Sequence, residues 1–188
     1  MALLPVVTWP AEVLAEKAKD VVVFDEELKT LARDMFETMY ENSGIGLAAP
    51  QVGRSIRMVV LDMTAGTDQQ GNGQRVLINP VITERHGEVV WDEACLSLPG
   101  ISCKVKRSAK VKLQARDLDN QPVEIDADEF FAVVLQHELD HLEGVVFINR
   151  VSPLQRKFLV REYNRKARDD AAKGERSKDD DDEPGAEA

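Results

Sequence analysis

The sequence predicts an α+β domain: short antiparallel β-sheets packed around a central helix that carries an HExxH motif, with a C-terminal helix. Three observations carry this. Short strand-like runs crowd residues 56–125 without regular βαβ alternation. Residues 130–142 are apolar on almost every side, which places that helix inside a domain. A length of 188 residues suits one domain with a full core. The expected boundaries are a folded domain over residues 1–170 and an acidic, disordered tail over 171–188.

Each element has its own signal. Leu28, Leu31, Met35 and Met39 recur at helical spacing within residues 25–42, and Asn42-Ser43-Gly44 ends the run. Residues 56–62, IRMVVLD, read as a strand, and residues 68–73 as a polar loop. Residues 76–79, 81–85 and 88–91 read as short strands separated by turns. Residues 110–117 alternate as a strand, 118–121 form a hairpin turn and 122–125 return. Asp126 and Glu129 form a D-x-x-E capping pattern for the central helix, and Gly144 stops it. Ser152 and Pro153 open the last helix, expected to reach about Ala171.

Composition excludes several classes. No apolar run approaches the roughly 18 residues of a membrane span. The segment MALLPVVTWP lacks a basic n-region, so no secretory signal is expected. Cys95 and Cys103 make no disulfide framework, and a reducing cytoplasm is the expected location. The net charge of −10 is concentrated: residues 169–188 hold nine acids against three bases. The run over 179–183 reads as a solvated extension and argues against DNA as a partner of the tail.

The chemistry centres on His137-Glu138-Leu139-Asp140-His141. Four residues is just over one helical turn, so both imidazoles leave the same face and can grip one metal ion. Glu138 lies beside them, able to handle a proton on water that a metal acidifies. An HExxH match can be no more than a helix surface. Here the helix is apolar all round, and two histidines and a glutamate buried without partners would cost roughly 1–3 kcal/mol per polar group. The third ligand is open. The HExxHxxGxxH peptidases need a histidine where Phe147 stands. Glu162 lies on a charge-rich helix, and His86 sits in a turn between Arg85 and Gly87. Cys95 precedes a Pro-Gly turn and is favoured over Cys103, although spacing alone does not decide between them. Gly44-x-Gly46-x-x-Ala49, with Asp62 beyond it, matches a relaxed dinucleotide fingerprint. It follows a helix and runs into Pro50, where the fingerprint requires a preceding strand and a following helix.

Three segments together resemble peptide deformylase of the type 1 bacterial branch. They are Gly44-Ile45-Gly46-Leu47-Ala48-Ala49-Pro50-Gln51, Glu93-Ala94-Cys95-Leu96-Ser97 and Gln136-His137-Glu138-Leu139-Asp140-His141, in the family's order. The resemblance covers about residues 5–170. Ala94 stands where the family usually has glycine, which adds a methyl group but removes no chemical function.

The resemblance implies removal of the formyl group from formyl-methionyl nascent peptides, with release of formate. It implies that Cys95, His137 and His141 hold one divalent metal, Fe²⁺ foremost, with Zn²⁺, Ni²⁺ or Co²⁺ able to take its place. It makes Glu138 the proton carrier, and gives Gln51 and the Leu96 N–H the oxyanion. Gly46 would line the substrate backbone. Ile45, Trp91, Phe130, Val133 and Val134 are candidates for the methionine pocket, which bulky Trp91 and Phe130 should make tighter than the family average. The last helix carries Arg156, Lys157, Arg161, Arg165, Lys166 and Arg168, which the family's role would turn toward the ribosome.

Overall fold

The computed structural model describes residues 2–179. It is α+β, as the sequence predicts. Helix α1 spans Glu26–Glu41, capped by the Asp25 carboxylate accepting from Leu28 N at 3.0 Å. Seven strands follow: β1 Gly46–Ala48, β2 Met58–Asp62, β3 Gln74–His86, β4 Val89–Ala94, β5 Ser102–Arg107, β6 Lys110–Arg116 and β7 Pro122–Asp128. Then come α2, Glu129–Leu142, and α3, Pro153–Asp179. A five-stranded antiparallel sheet runs β1-β2-β3-β6-β7, and β4 pairs with β5 in a separate hairpin.

The period-2 pattern of β2 explains where the helices lie. Met58 and Val60 face α1, packing with Met35 and Met39, while Val59 and Leu61 face α2, packing with Leu135, Leu139 and Leu142. The strand is buried on both faces, so its sequence is continuously apolar. Each fully buried side chain of this kind contributes roughly 1.5–3 kcal/mol. A third cluster gathers Cys95, Leu98, Val105, Phe147 and Tyr163 between the β4–β5 hairpin and α3. Phe147, which stands where a ligand histidine would be needed, is thus a core residue.

Four details differ from the sequence reading. The runs at 76–79 and 81–85 are one strand, β3, with a register shift between Ile78 and Val81. Asn79, at φ 51°, and Pro80 look like a turn but form a bulge. Asn79 N donates to Arg57 O at 2.8 Å, its side chain bonds Val21 N and Val21 O, and Arg57 donates to Pro80 O at 2.9 Å. The capping pattern at Asp126 and Glu129 does not form. Asp126 lies in β7 opposite Lys112, α2 starts directly at Glu129, and Asp128 makes no capping bond. Strands β1 and β5 had no clear signal, because β1 is very short and β5 buries the charged Arg107. Helix α3 opens at Ser152-Pro153 as expected, with Gln155 N donating to Ser152 Oγ at 3.3 Å. It continues to Asp179 rather than ending near Ala171. The expected tail lies outside the described residues from position 180 onward.

Gly144 ends α2 at φ 69°, and a Cβ there would stand 2.6 Å from Ala15 O. This close approach holds the C-terminal end of α2 against the N-terminal segment, where Ala18 N donates to Leu142 O at 2.9 Å.

Candidate active site

Helix α2 delivers His137 and His141 one turn apart, and the loop after β4 delivers Cys95 against them. Ligand atoms of the three lie within 4.8 Å of one another, and the Cys95 Sγ to His141 Nε2 distance is 3.2 Å. Burial by itself would raise the Cys95 thiol. The charge of His141 and hydrogen bonds with His137 and His141 override that and hold it well below an ordinary thiol. A thiolate with two imidazoles is a donor set that fits a divalent transition metal.

The rings are oriented from behind. Glu93 lies two residues before Cys95, and its Oε2 is 2.8 Å from His137 Nδ1, which leaves Nε2 to face the cluster. Arg107 on β5 grips Glu93 with Nε at 2.6 Å and Nη2 at 2.8 Å. Burial would raise the Glu93 carboxyl, but Arg107 and His137 hold it down to about 2. Glu138 is different. Among the described residues its Oε2 has no hydrogen-bond partner although it is buried. Burial pushes its proton affinity up, against the pull of the two imidazoles.

An open cleft of about 760 Å³ leads to this cluster. Ile45, Gly46, Gln51, Trp91, Leu96, Phe130, Val133, Val134, His137 and Glu138 all line it, so every candidate on α2, β4 and the glycine segment meets here except the deeper His141. Trp91 and Phe130 stack at its rim, with ring centroids 5.0 Å apart. Gln51 is locked by its neighbours: Oε1 accepts from Ala48 N at 2.8 Å, and Nε2 points at Ser97 Oγ (3.2 Å) and Cys95 Sγ (3.5 Å). Ala94 keeps a negative φ at the end of β4, so the backbone carries it without strain.

Gly46 is required by close approach. A Cβ there would stand 2.5 Å from Glu138 Oε1. Gly46→Ala should therefore displace the carboxylate and lower turnover by about 10–100-fold, on the scale of misplacing a catalytic group by an ångström. Steady-state kinetics beside metal content checks this. Wild-type turnover at unchanged metal content would show that the carboxylate has room to move.

The other candidates fall elsewhere. His86 is exposed and pairs with Glu84 at 3.1 Å. Glu162 pairs with Lys166 on α3 at 3.0 Å. Cys103 faces Glu93 across the β4–β5 ladder, outside the Cys95–His137–His141 cluster. Asp62 is a buried structural acid held by Tyr40, Thr64 and Gly71 N, unrelated to any nucleotide. Sequence reasoning missed the orienting role of Glu93 and the burial of Arg107. Glu93 had a signal, since strand alternation puts it on the same side as Cys95. Arg107 had none, because its partners are distant in sequence.

The family model described as Polypeptide deformylase matches residues 3–157. The chain belongs to the polypeptide deformylase family. A peptide deformylase of Chromobacterium violaceum is 50% identical over 157 residues, covering 84% of this chain and 92% of that protein. The crystal structure of a peptide deformylase from Legionella pneumophila superposes with a TM-score of 0.84 at 42% identity, covering 90% of this chain and 98% of that one. A peptide deformylase from Synechococcus elongatus in complex with actinonin gives 0.81 at 37% identity, over 86% and 88%. Deformylases are metal-dependent hydrolases, and this chain removes the N-terminal formyl group from formyl-methionyl nascent polypeptides, releasing formate. No helix among the described residues is long and apolar enough to cross a membrane.

Proposed function

We propose that deformylation runs on a single divalent ion held by Cys95, His137 and His141, in the cytoplasm, with Fe²⁺ as the ion. The observation that carries this is the convergence of the three donors beside a buried carboxylate oxygen that has no hydrogen-bond partner among the described residues. When bound, the ion supplies Lewis acidity toward the formyl oxygen and acidifies a water. Glu138 Oε2 would take a proton from the attacking water as its oxygen adds to the formyl carbon, and would hand that proton to the nitrogen as the C–N bond breaks, leaving formate and a free N-terminus. Gln51 Nε2 and the Leu96 N–H donate to the oxygen where negative charge develops. Because Ala48 already fixes the Gln51 amide, its donor needs little reorganisation. β1 is the edge strand of its sheet, and glycine at position 46 leaves room for an extended peptide to lie along it.

Ile45, Val133 and Val134 form the wall of the methionine pocket, and the Trp91–Phe130 stack limits its length. The test is an anaerobic assay of formate release from a formyl-methionyl peptide with Fe²⁺- or Ni²⁺-loaded protein, scored beside internal cleavage of the same peptide. Internal cleavage without formate would point to a peptidase instead. Running a formyl-2-aminoheptanoyl peptide, whose unbranched side chain is one atom longer than that of methionine, alongside tests the length limit, which equal rates would remove.

The exposed basic face of α3 suits docking to ribosomal RNA beside the emerging chain. Lys166 is committed elsewhere, donating to Gly100 O at 2.5 Å, so Arg161, Arg165 and Arg168 are the better contacts. Removing the helix would also strip Tyr163 from Trp9, whose carbonyl it bonds at 2.9 Å. Arg161→Glu with Arg165→Glu avoids that and should weaken ribosome binding with a reduced salt dependence. Unchanged binding would sink the docking.

A further inference from the structure

We propose that Arg150, which does not line the cleft, is a positioning residue of the metal centre and acts through a buried chain of ion pairs that ends on His137. Resting on the metal reading above, it extends that reading to a residue outside all three sequence motifs. Arg150 donates through Nε to Asp140 Oδ2 at 2.9 Å and through Nη2 to Asp140 Oδ1. Asp140 Oδ2 also accepts from Arg107 Nη1 at 2.6 Å. Arg107 turns its other two guanidinium nitrogens, Nε and Nη2, to Glu93, and Glu93 Oε2 reaches His137 Nδ1 at 2.8 Å. The order is Arg150, Asp140, Arg107, Glu93, His137.

Burial gives the chain its stiffness. The side chains of Glu93, Arg107 and Asp140 are 3%, 4% and 10% exposed, whereas that of Arg150 is 46% exposed. Of the five, Arg150 at the outer end is the one that stands well out in solvent. The two guanidinium groups balance the two carboxylates, so these four side chains together carry no net charge. A two-pronged grip by Arg150 fixes Asp140, which then holds Arg107 with one prong and leaves the other two for Glu93. Without Arg150, Asp140 has only Arg107, and the low-dielectric surroundings draw that guanidinium toward it. Glu93 loses alignment, and with it the ring that must present Nε2 to the ion.

Arg150 is the informative position because its exposure lets the protein tolerate replacement, whereas removing Arg107 would take a guanidinium away from two buried acids at once. The experiment measures Zn²⁺ affinity of metal-free full-length protein by chelator competition, for wild type, Arg150→Gln, Glu93→Gln, the double variant and Cys95→Ser. Loss of a direct partner of a ligand histidine costs about 10–100-fold in affinity. Glu93→Gln should fall in that range and Arg150→Gln should lose roughly threefold to tenfold. In the Glu93→Gln background the Arg150 effect should vanish, since both act along one chain. A purely structural Arg150 would lower the thermal midpoint of the metal-free protein and leave Zn²⁺ affinity unchanged, which overturns the proposal. Tighter binding, the result of added negative charge alone, also overturns it, as does full additivity of the two substitutions. If wild type binds no Zn²⁺, or Cys95→Ser binds it equally well, the metal reading itself fails and this inference falls with it.

Discussion

Glu138→Ala should lower formate release from a formyl-methionyl peptide by about 10²–10⁴-fold, the span that general acid–base catalysis supplies, while Zn²⁺ affinity stays close to wild type. The carboxylate touches the reaction and not the ion's protein ligands, so the two readouts separate. Its environment suits the task. Burial raises its affinity for a proton, the imidazoles of His137 and His141 oppose that, and no other hydrogen bond occupies Oε2 among the described residues. A carboxylate tied to an arginine, as Glu93 is, would be locked in its charged form and could not pass a proton on. Glu138→Gln is the sharper companion, because it keeps the shape against Gly46 and removes only the basicity. Formate release within tenfold of wild type, with the metal retained, would remove Glu138 from the mechanism.

The part of the site carried by local sequence was legible. His137, Glu138 and His141 share one helix, and helical period alone puts them together. The fold class followed from alternation and from the absence of βαβ order. What local pattern could not show was any feature made by distant pairing. Arg107 reads as one of several basic residues in SCKVKR, and only contact with Glu93 and Asp140 makes it a buried ion. The bulge at Asn79 depends on Val21 and Arg57, residues that a turn reading never consults. The D-x-x-E pattern at Asp126 failed for the same reason: pairing of β7 with β6 continues through Asp128 and leaves no residue free to cap. The choice between two cysteines was another such case, since both precede or follow a turn and differ only in what comes near them once folded.

That choice makes the other large prediction. Cys95→Ser should weaken Zn²⁺ binding by roughly a hundredfold to a thousandfold, about one ligand's share of a typical protein–zinc binding free energy, and Cys103→Ser by less than about threefold. The two thiols sit in opposite fields. Cys95 is held well below an ordinary thiol by the imidazoles beside it, with burial working against them. The Cys103 thiol is pushed up to about 11, by burial first and then by the carboxylates of Glu93 and Asp92. A thiolate binds a transition metal and a neutral thiol binds poorly, so the electrostatics select Cys95 even before geometry does. Geometry agrees, with Cys95 Sγ 3.2 Å from His141 Nε2. Serine nearly preserves the volume and removes the soft anionic donor, so the loss would report ligation rather than packing. Ala94 does not weaken the expectation, because its methyl group points from an unstrained strand and is exposed. If Cys95→Ser kept wild-type affinity, or Cys103→Ser matched its loss, the ligand set would have to be reassigned, and the alignment of His137 by Glu93 would need another purpose.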